Sequence, residues 1–163
     1  MNQYDLGGEV AIVTGGAQGI GFACAKRFVQ SGAKIALWDI DVDQLHAAKS
    51  ELGNDVTTAV VDITQLAQVE EATAALNETH GKVSILLNSA GIAGINTTVE
   101  KYPVDEWQRI MDLNVNGTFY INRTVVPYMK QNGYGRIVNI ASVAGKAKKV
   151  ILMHLPIPLP KRR

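Results

Sequence analysis

Four glycines fall within eight residues at Thr14-Gly15-Gly16-Ala17-Gln18-Gly19-Ile20-Gly21. That density suits a backbone turn drawn tightly around an anion, because glycine bends freely and has no Cβ to hold a ligand off. If a helix starts there, its unpaired N–H groups and positive dipole end attract a pyrophosphate. Asp39 stands roughly 20 residues on, the offset at which a carboxylate accepts hydrogen bonds from a ribose diol. The same carboxylate repels a 2′-phosphate, so the pair reads as a site for NAD rather than NADP.

The flanks decide against a loop that merely uses glycine. Glu9-Val10-Ala11-Ile12-Val13 before the turn is apolar and β-branched, as a strand buried on both faces is. After it, Ile20, Ala23, Cys24, Arg27 and Phe28 fall at helical spacing, and the apolar members are expected to face a sheet. The turn is therefore strand-to-helix. Ser31-Gly32 stops the helix, and residues 34–39 form a second strand with Asp39 at its carboxyl end. A helix over 41–52 follows, with Asp41 better placed than Asp39 to begin it. Residues 56–62 read as a third strand ending in Asp62, which suits both a bond to an adenine amino group and a cap for the next helix, 65–79. A fourth strand, 83–87, leads to Asn88-Ser89-Ala90-Gly91, and a loop over 92–99 leads to a long helical pattern, 104–130. Trp107, Ile110, Met111, Val115, Ile121 and Val125 are expected to form its apolar face. Asn114 interrupts that face. A buried Asn needs partners, so either a core water or bent helix explains it, or an active-site role does. The fifth strand, 136–142, brings Ser142 to the same carboxyl edge as the turn, Asp39, Asp62 and Asn88. This alternation predicts an α/β, doubly wound, Rossmann-like parallel sheet with right-handed crossovers.

The composition fits a single domain. The chain has 163 residues, 47% hydrophobic and 19% charged, with no apolar run long enough to cross a membrane. Neither a basic region nor an apolar stretch opens it, and Cys24 is the one cysteine. A cytoplasmic setting is expected, with Cys24 as a small packing residue. The net charge of +1 is unevenly spread. Through Gly145, ten Lys and Arg face fifteen acids, whereas Lys146, Lys148, Lys149, Lys161, Arg162 and Arg163 have no acid among them. No aromatic residue is interleaved with this basic tail, so nucleic acid is not the expected partner.

Taken together, residues 7–146 resemble the short-chain dehydrogenase/reductase family. Thr14-Gly-x-x-x-Gly19-x-Gly21 is similar to its cofactor turn and Asn88-Ser89-Ala90-Gly91 to its Asn-Asn-Ala-Gly signature. Leu113-Asn114-Val115 and Ile140-Ala141-Ser142 are similar to the stretches that carry its active-site Asn and Ser. The resemblance implies hydride transfer between NAD and a secondary alcohol or ketone. It implies catalytic roles for Ser142 and Asn114, and cofactor contacts at Gly15, Gln18, Gly19, Ile20, Gly21, Asp39, Asp62, Ile63, Asn88, Ala90 and Gly91. A small-molecule substrate, an NAD cofactor, a homo-oligomer and no metal are the corresponding expectations. The substrate itself is unreadable.

One departure is large. The family's general acid/base is a Tyr with a Lys four residues later, which lowers the phenol's pKa from near 10. Tyr4, Tyr102, Tyr120, Tyr128 and Tyr134 are followed at that spacing by Gly8, Glu106, Thr124, Asn132 and Val138. The tail has three of the chain's five prolines, at 156, 158 and 160, and is expected to be no more than a disordered or polyproline-like extension. Its codons explain why. Read out of frame, Lys148 to Arg162 permits Glu-Gly-Asn-Pro-Asn-Ala-Ser-Ala-Tyr-Ser-Ala-Ser-Lys-Ala, with Tyr and Lys at the missing separation. The expectation is an NAD-binding domain over 1–145, truncated after the fifth strand, and an out-of-frame tail over 146–163. Such a chain binds NAD without turnover; the other reading is a regulatory or partner-binding module that keeps NAD.

Overall fold

The computed structural model describes residues 4–142; the tail lies outside the described residues. Five parallel strands, β1 (Val10–Thr14), β2 (Lys34–Asp39), β3 (Val56–Val60), β4 (Ile85–Asn88) and β5 (Arg136–Asn139), stand in the order β3-β2-β1-β4-β5. The connecting helices are α1 (Gly19–Gln30), α2 (Val42–Leu52), α3 (Leu66–His80), α4 (Val104–Met111) and α5 (Thr118–Gln131). The expected doubly wound sheet is present.

Period-two alternation along the strands divides the core into two layers. Val10 and Ile12 of β1, Ala36 and Trp38 of β2, and Leu86 of β4 face Val69 and Leu76 of α3 and Ile121, Val125 and Met129 of α5. Ala11 and Val13, Ile35 and Leu37, and Ile85 and Leu87 face the other way, onto Ala25 of α1 and Leu45 and Ala48 of α2. Both faces of β1, β2 and β4 are therefore covered, which is why these strands are continuous apolar runs.

Several boundaries differ from the sequence expectation. The third strand ends at Val60, not Asp62, because Asp62 accepts hydrogen bonds from the backbone N–H and hydroxyl of Thr64 and turns the chain. The fifth ends at Asn139, three residues before Ser142. On α1, Phe22, Cys24, Ala25 and Phe28 form the packed face, while Ile20 is 61% exposed. Ile20 belongs to the first turn, where the helix projects beyond the strand ends.

The helical pattern over 104–130 is broken by a π-helical turn, Asp112–Gly117. The wider turn shifts the helical phase, so Val115 points outward at 42% exposure while Ile121 and Val125 are fully buried. No helix among the described residues is long and apolar enough to cross a membrane.

Candidate functional site

Strand order reverses between β1 and β4: the chain moves from β1 outward to β3 and then returns to β4 on the other side of β1. In open α/β sheets the crevice beyond the strand ends at such a point accepts ligands. The glycine turn lies there. Gly15 and Gly19 take positive φ, +60° and +55°, in the left-handed region that favours glycine. A Cβ on Gly15 would stand 2.9 Å from the Ala90 backbone, and one on Gly21 would run into the Gly15 carbonyl oxygen. These two glycines hold the turn against β4 and α1 respectively. At Gly19 a Cβ would meet nothing within 4 Å, so its absence leaves the space in front of the helix clear.

No side chain caps the N-terminus of α1, and no acidic residue occupies its first turn. The N-cap, Gln18, is extended, with φ −151°. The amides of that turn retain their capacity for an anion. By contrast, Asp41 caps α2, accepting from the Gln44 backbone at 3.0 Å and the Gln44 side chain at 2.8 Å, and these bonds hold its carboxyl below the ordinary value of 3.8. With Asp41 in that role, Asp39 is left for another. Asp39 Oδ2 accepts from Ala17 N at 3.2 Å, and Oδ1 from Ile40 N at 2.8 Å and Asp41 N at 3.3 Å. The carboxylate is thereby fixed beside the turn. A second tie, Gly16 N to Trp38 O at 3.3 Å, joins the turn to β2.

Asp62, at the next strand end, serves its own loop through Thr64 but does not cap α3, whose N-cap is Gln65. Ile63 is buried, and its side chain packs where a Cβ on Gly117 would fall, 2.8 Å from Cγ1.

Asn88 is 3% exposed and fully engaged. Its Oδ1 accepts from the Thr14 hydroxyl, and its Nδ2 donates to Thr118 Oγ1 at 3.0 Å. Thr14 Oγ1 in turn accepts from the backbone of Ser89 and of Ala90, each at 3.2 Å. This network closes the switch point by clamping β1, β4 and α5 together. The sequence placed Thr14 in the glycine turn without a role of its own and did not single out Thr118; a Thr at the end of one apolar strand and an Asn at the end of another were the available signal.

Asn114 lies where the helix is distorted and has a definite backbone partner. It lies in the π turn and pairs with the Ile92 backbone in both directions, accepting from N at 3.0 Å and donating to O at 2.9 Å. A Cβ on Gly91 would come within 3.2 Å of its Oδ1, so Gly91 lets the loop after β4 approach the helix. Ser142 is exposed beyond β5, and Ile140 N donates to Asn88 O at 2.9 Å, which keeps that segment alongside β4. The structure thus gathers the turn, Asp39, Asp62, Asn88, Ala90, Gly91, Asn114 and Ser142 along one sheet edge.

No cluster of His, Cys, Asp and Glu able to hold a metal ion occurs among the described residues. A groove of about 670 Å³ between α3 and α5 is lined by Glu70, Arg123, Thr124 and Tyr128 among others. It contains none of the strand-end residues. The crevice, by comparison, fits a dinucleotide on three counts: an uncapped helix start, clear space at Gly19, and a fixed carboxylate one strand away.

A model of the short chain dehydrogenase family matches residues 9–153. Over 140 residues the chain is 50% identical to a 2-dehydro-3-deoxy-L-rhamnonate dehydrogenase (NAD(+)) of Sphingomonas sp. (strain SKA58), covering 85% of this chain and 55% of that protein. Over 143 residues it is 40% identical to a 3-alpha-(or 20-beta)-hydroxysteroid dehydrogenase of Mycobacterium tuberculosis (strain ATCC 25618 / H37Rv), covering 88% and 55%. Among solved structures, NAD+-bound xylitol dehydrogenase superposes with a TM-score of 0.85 at 34% identity, covering 90% of this chain and 57% of that one. The chain spans about 55% of the length of the curated relatives it matches.

Proposed function

From the premise that this chain belongs to the short-chain dehydrogenase family, we propose that it is an NAD-binding oxidoreductase portion that holds cofactor without completing the chemistry. The observation that carries this reading is the uncapped N-terminus of α1 with the fixed carboxylate of Asp39 beside the same turn. When bound, NAD supplies a hydride acceptor for a secondary alcohol. The backbone of Gly15 to Gly21 holds its pyrophosphate, with Gln18 and Ile20 at the rim. Asp39 accepts from the ribose diol, and Asp62 and the Ile63 backbone border the adenine. Asn88, Ala90 and Gly91, at the end of β4, would complete the cofactor contacts.

Ser142 is the residue for polarising a substrate carbonyl, and Asn114, whose side chain also holds the loop at Ile92, is the second active-site residue. Proton transfer is what the chain lacks, since none of its tyrosines is followed by Lys at the fourth place. The division at Gly145 and the out-of-frame origin of the tail belong to the same proposal. Sequencing the DNA from the Gly145 codon onward tests that part; an alternative frame without the Tyr and Lys codons overturns it. Calorimetric titration tests the cofactor part, with saturable NAD binding expected, NADP much weaker, and no alcohol oxidation. Turnover by a chain whose mass confirms this sequence would contradict it.

A further inference from the structure

Asparagine is followed by glycine at two places in the sequence, Asn116-Gly117 and Asn132-Gly133. Glycine in that position has no Cβ to hold the asparagine side chain off its backbone nitrogen, so the pair is able to close a ring on itself. The fold treats the two differently. Asn116 lies inside the π-helical turn, its Nδ2 donates to Asp112 Oδ1 at 2.9 Å, and Gly117 is buried against Ile63. Asn132 is exposed at the C-cap of α5, and among the described residues no side-chain hydrogen bond holds it. Gly133, also exposed, follows in the left-handed region at φ +67°. Its N–H donates to Lys130 O at 3.1 Å. That bond and the helical ψ of Asn132, −5°, are the restraints on attack. Both belong to the last turn of a helix, the part that frays most readily.

We propose that Asn132-Gly133 is a self-modification site, at which water converts the Asn132 amide to a carboxylate and, in the isoaspartyl product, lengthens the turn that places β5. The Gly133 nitrogen, having lost its proton to hydroxide, bonds to Cγ of Asn132. The Cγ–Nδ2 bond breaks, and ammonia leaves after its nitrogen takes a proton from water. The resulting succinimide adds one water. Opening at Cγ gives Asp; opening at the backbone carbonyl gives isoaspartate, with the chain running through Cβ and Cγ. Nothing is oxidised or reduced. The turn has little room for the extra methylene. Tyr134 N donates to Met129 O at 3.2 Å, and a Cβ on Gly135 would stand 2.5 Å from Met129 Sδ. Met129 is itself part of the core, so a longer backbone displaces Gly135 and with it β5, which starts at Arg136. The new carboxylate also stands at the negative end of the α5 dipole, an unfavourable place for it.

This inference does not depend on the cofactor reading. The folded full chain is held at mildly alkaline pH, which deprotonates more of the attacking nitrogen, and its tryptic peptides are weighed over time. Cleavage after Lys130 and Arg136 releases Gln131-Asn132-Gly133-Tyr134-Gly135-Arg136, with Asn132 as its one asparagine. Conversion at Asn132 is expected to be at least about tenfold faster than at Asn116, which must first be released by local opening of its helix. In urea, with that protection gone, the two sites should convert within about threefold of each other. Isoaspartate at 132 should also speed hydrogen exchange at Arg136 and Ile140, whose N–H groups donate to Ser84 O and Asn88 O. Asn132→Asp, with the charge but a normal backbone, should speed it less. A rate at Asn132 no higher than at Asn116 in the folded chain overturns the proposal. So does isoaspartate at 132 that leaves exchange along β5 as it is in the parent.

Discussion

Asn88 and Asn139 are register partners on adjacent strands, the same residue type at the same level of the sheet, one strand apart. Asn88 is buried, with its amide divided between Thr14 and Thr118, while Asn139 is exposed and makes one side-chain bond, to Asn122. The contrast extends along the strands. Every residue of β1 is buried and every residue of β5 is exposed. Around β1 the backbone is so closely approached that single hydrogens on glycine are required, and the side chains of Thr14 and Asn88 are hydrogen-bonded. At β5 apolar side chains are exposed, and among the described residues the strand pairs with β4 alone. The candidate cofactor site starts from the first kind of environment, at Thr14, Gly16 and Asn88, and opens to solvent at Gln18, Gly19 and Ile20, whereas Ser142 follows the second. The proposed cofactor cradle is thus built around buried strand ends, and Ser142, the proposed carbonyl-polarising residue, follows the most exposed strand.

Substitutions can break or sharpen this contrast. The largest effect is expected from Gly21→Ala, which forces α1 away from the Gly15 carbonyl and should cost about 2–3 kcal/mol in urea unfolding, together with loss of NAD binding. If the cradle instead absorbed the methyl with unchanged stability and affinity, its tight packing would not be essential. Next, Asn88→Ala leaves buried hydroxyls without their partner and should cost about 1–3 kcal/mol, while Asn139→Ala should stay within about 0.5 kcal/mol. Equal losses at the two positions would remove the distinction between interior and edge. Asp39→Ala should weaken NAD about tenfold or more, as loss of hydrogen bonds to a charged group does, and narrow the preference over NADP in parallel titrations.

The smallest effect is at Asp41. Hydrogen bonds from Gln44 lower its pKa, so its contribution to stability is fully present above the ordinary value of 3.8 and is lost as pH falls through the lower folded value. Asp41→Asn keeps an acceptor for the cap but should flatten that acid-side decline in a pH series of thermal midpoints. A decline unchanged in the variant would assign it to other carboxylates.

What could be read from residues alone follows the same division. The glycine turn and Asp39 were legible because local rules determine them: strand, tight turn and helix occur consecutively, and the acid ends the next strand. The strands buried on both faces were legible from continuous apolar runs. The π turn was not, because it preserves an apparently regular helical pattern while rotating Val115 outward, and only the pairing of Asn114 with Ile92, 22 positions away in sequence, makes the distortion worthwhile. Ile20 was misplaced for a related reason: its helical spacing was correct, but the sheet ends before it. The Thr14–Asn88–Thr118 clamp links three elements distant in sequence, and no single stretch reveals it.

The central claim is that the cradle at β1 binds NAD independently of whether the chain performs catalysis. Isothermal titration of NAD into the parent chain and Gly21→Ala, each first shown to be folded, tests it most directly. The account predicts one saturable site per chain in the parent and none in the variant; no binding to the folded parent, or equal binding to both, would contradict it.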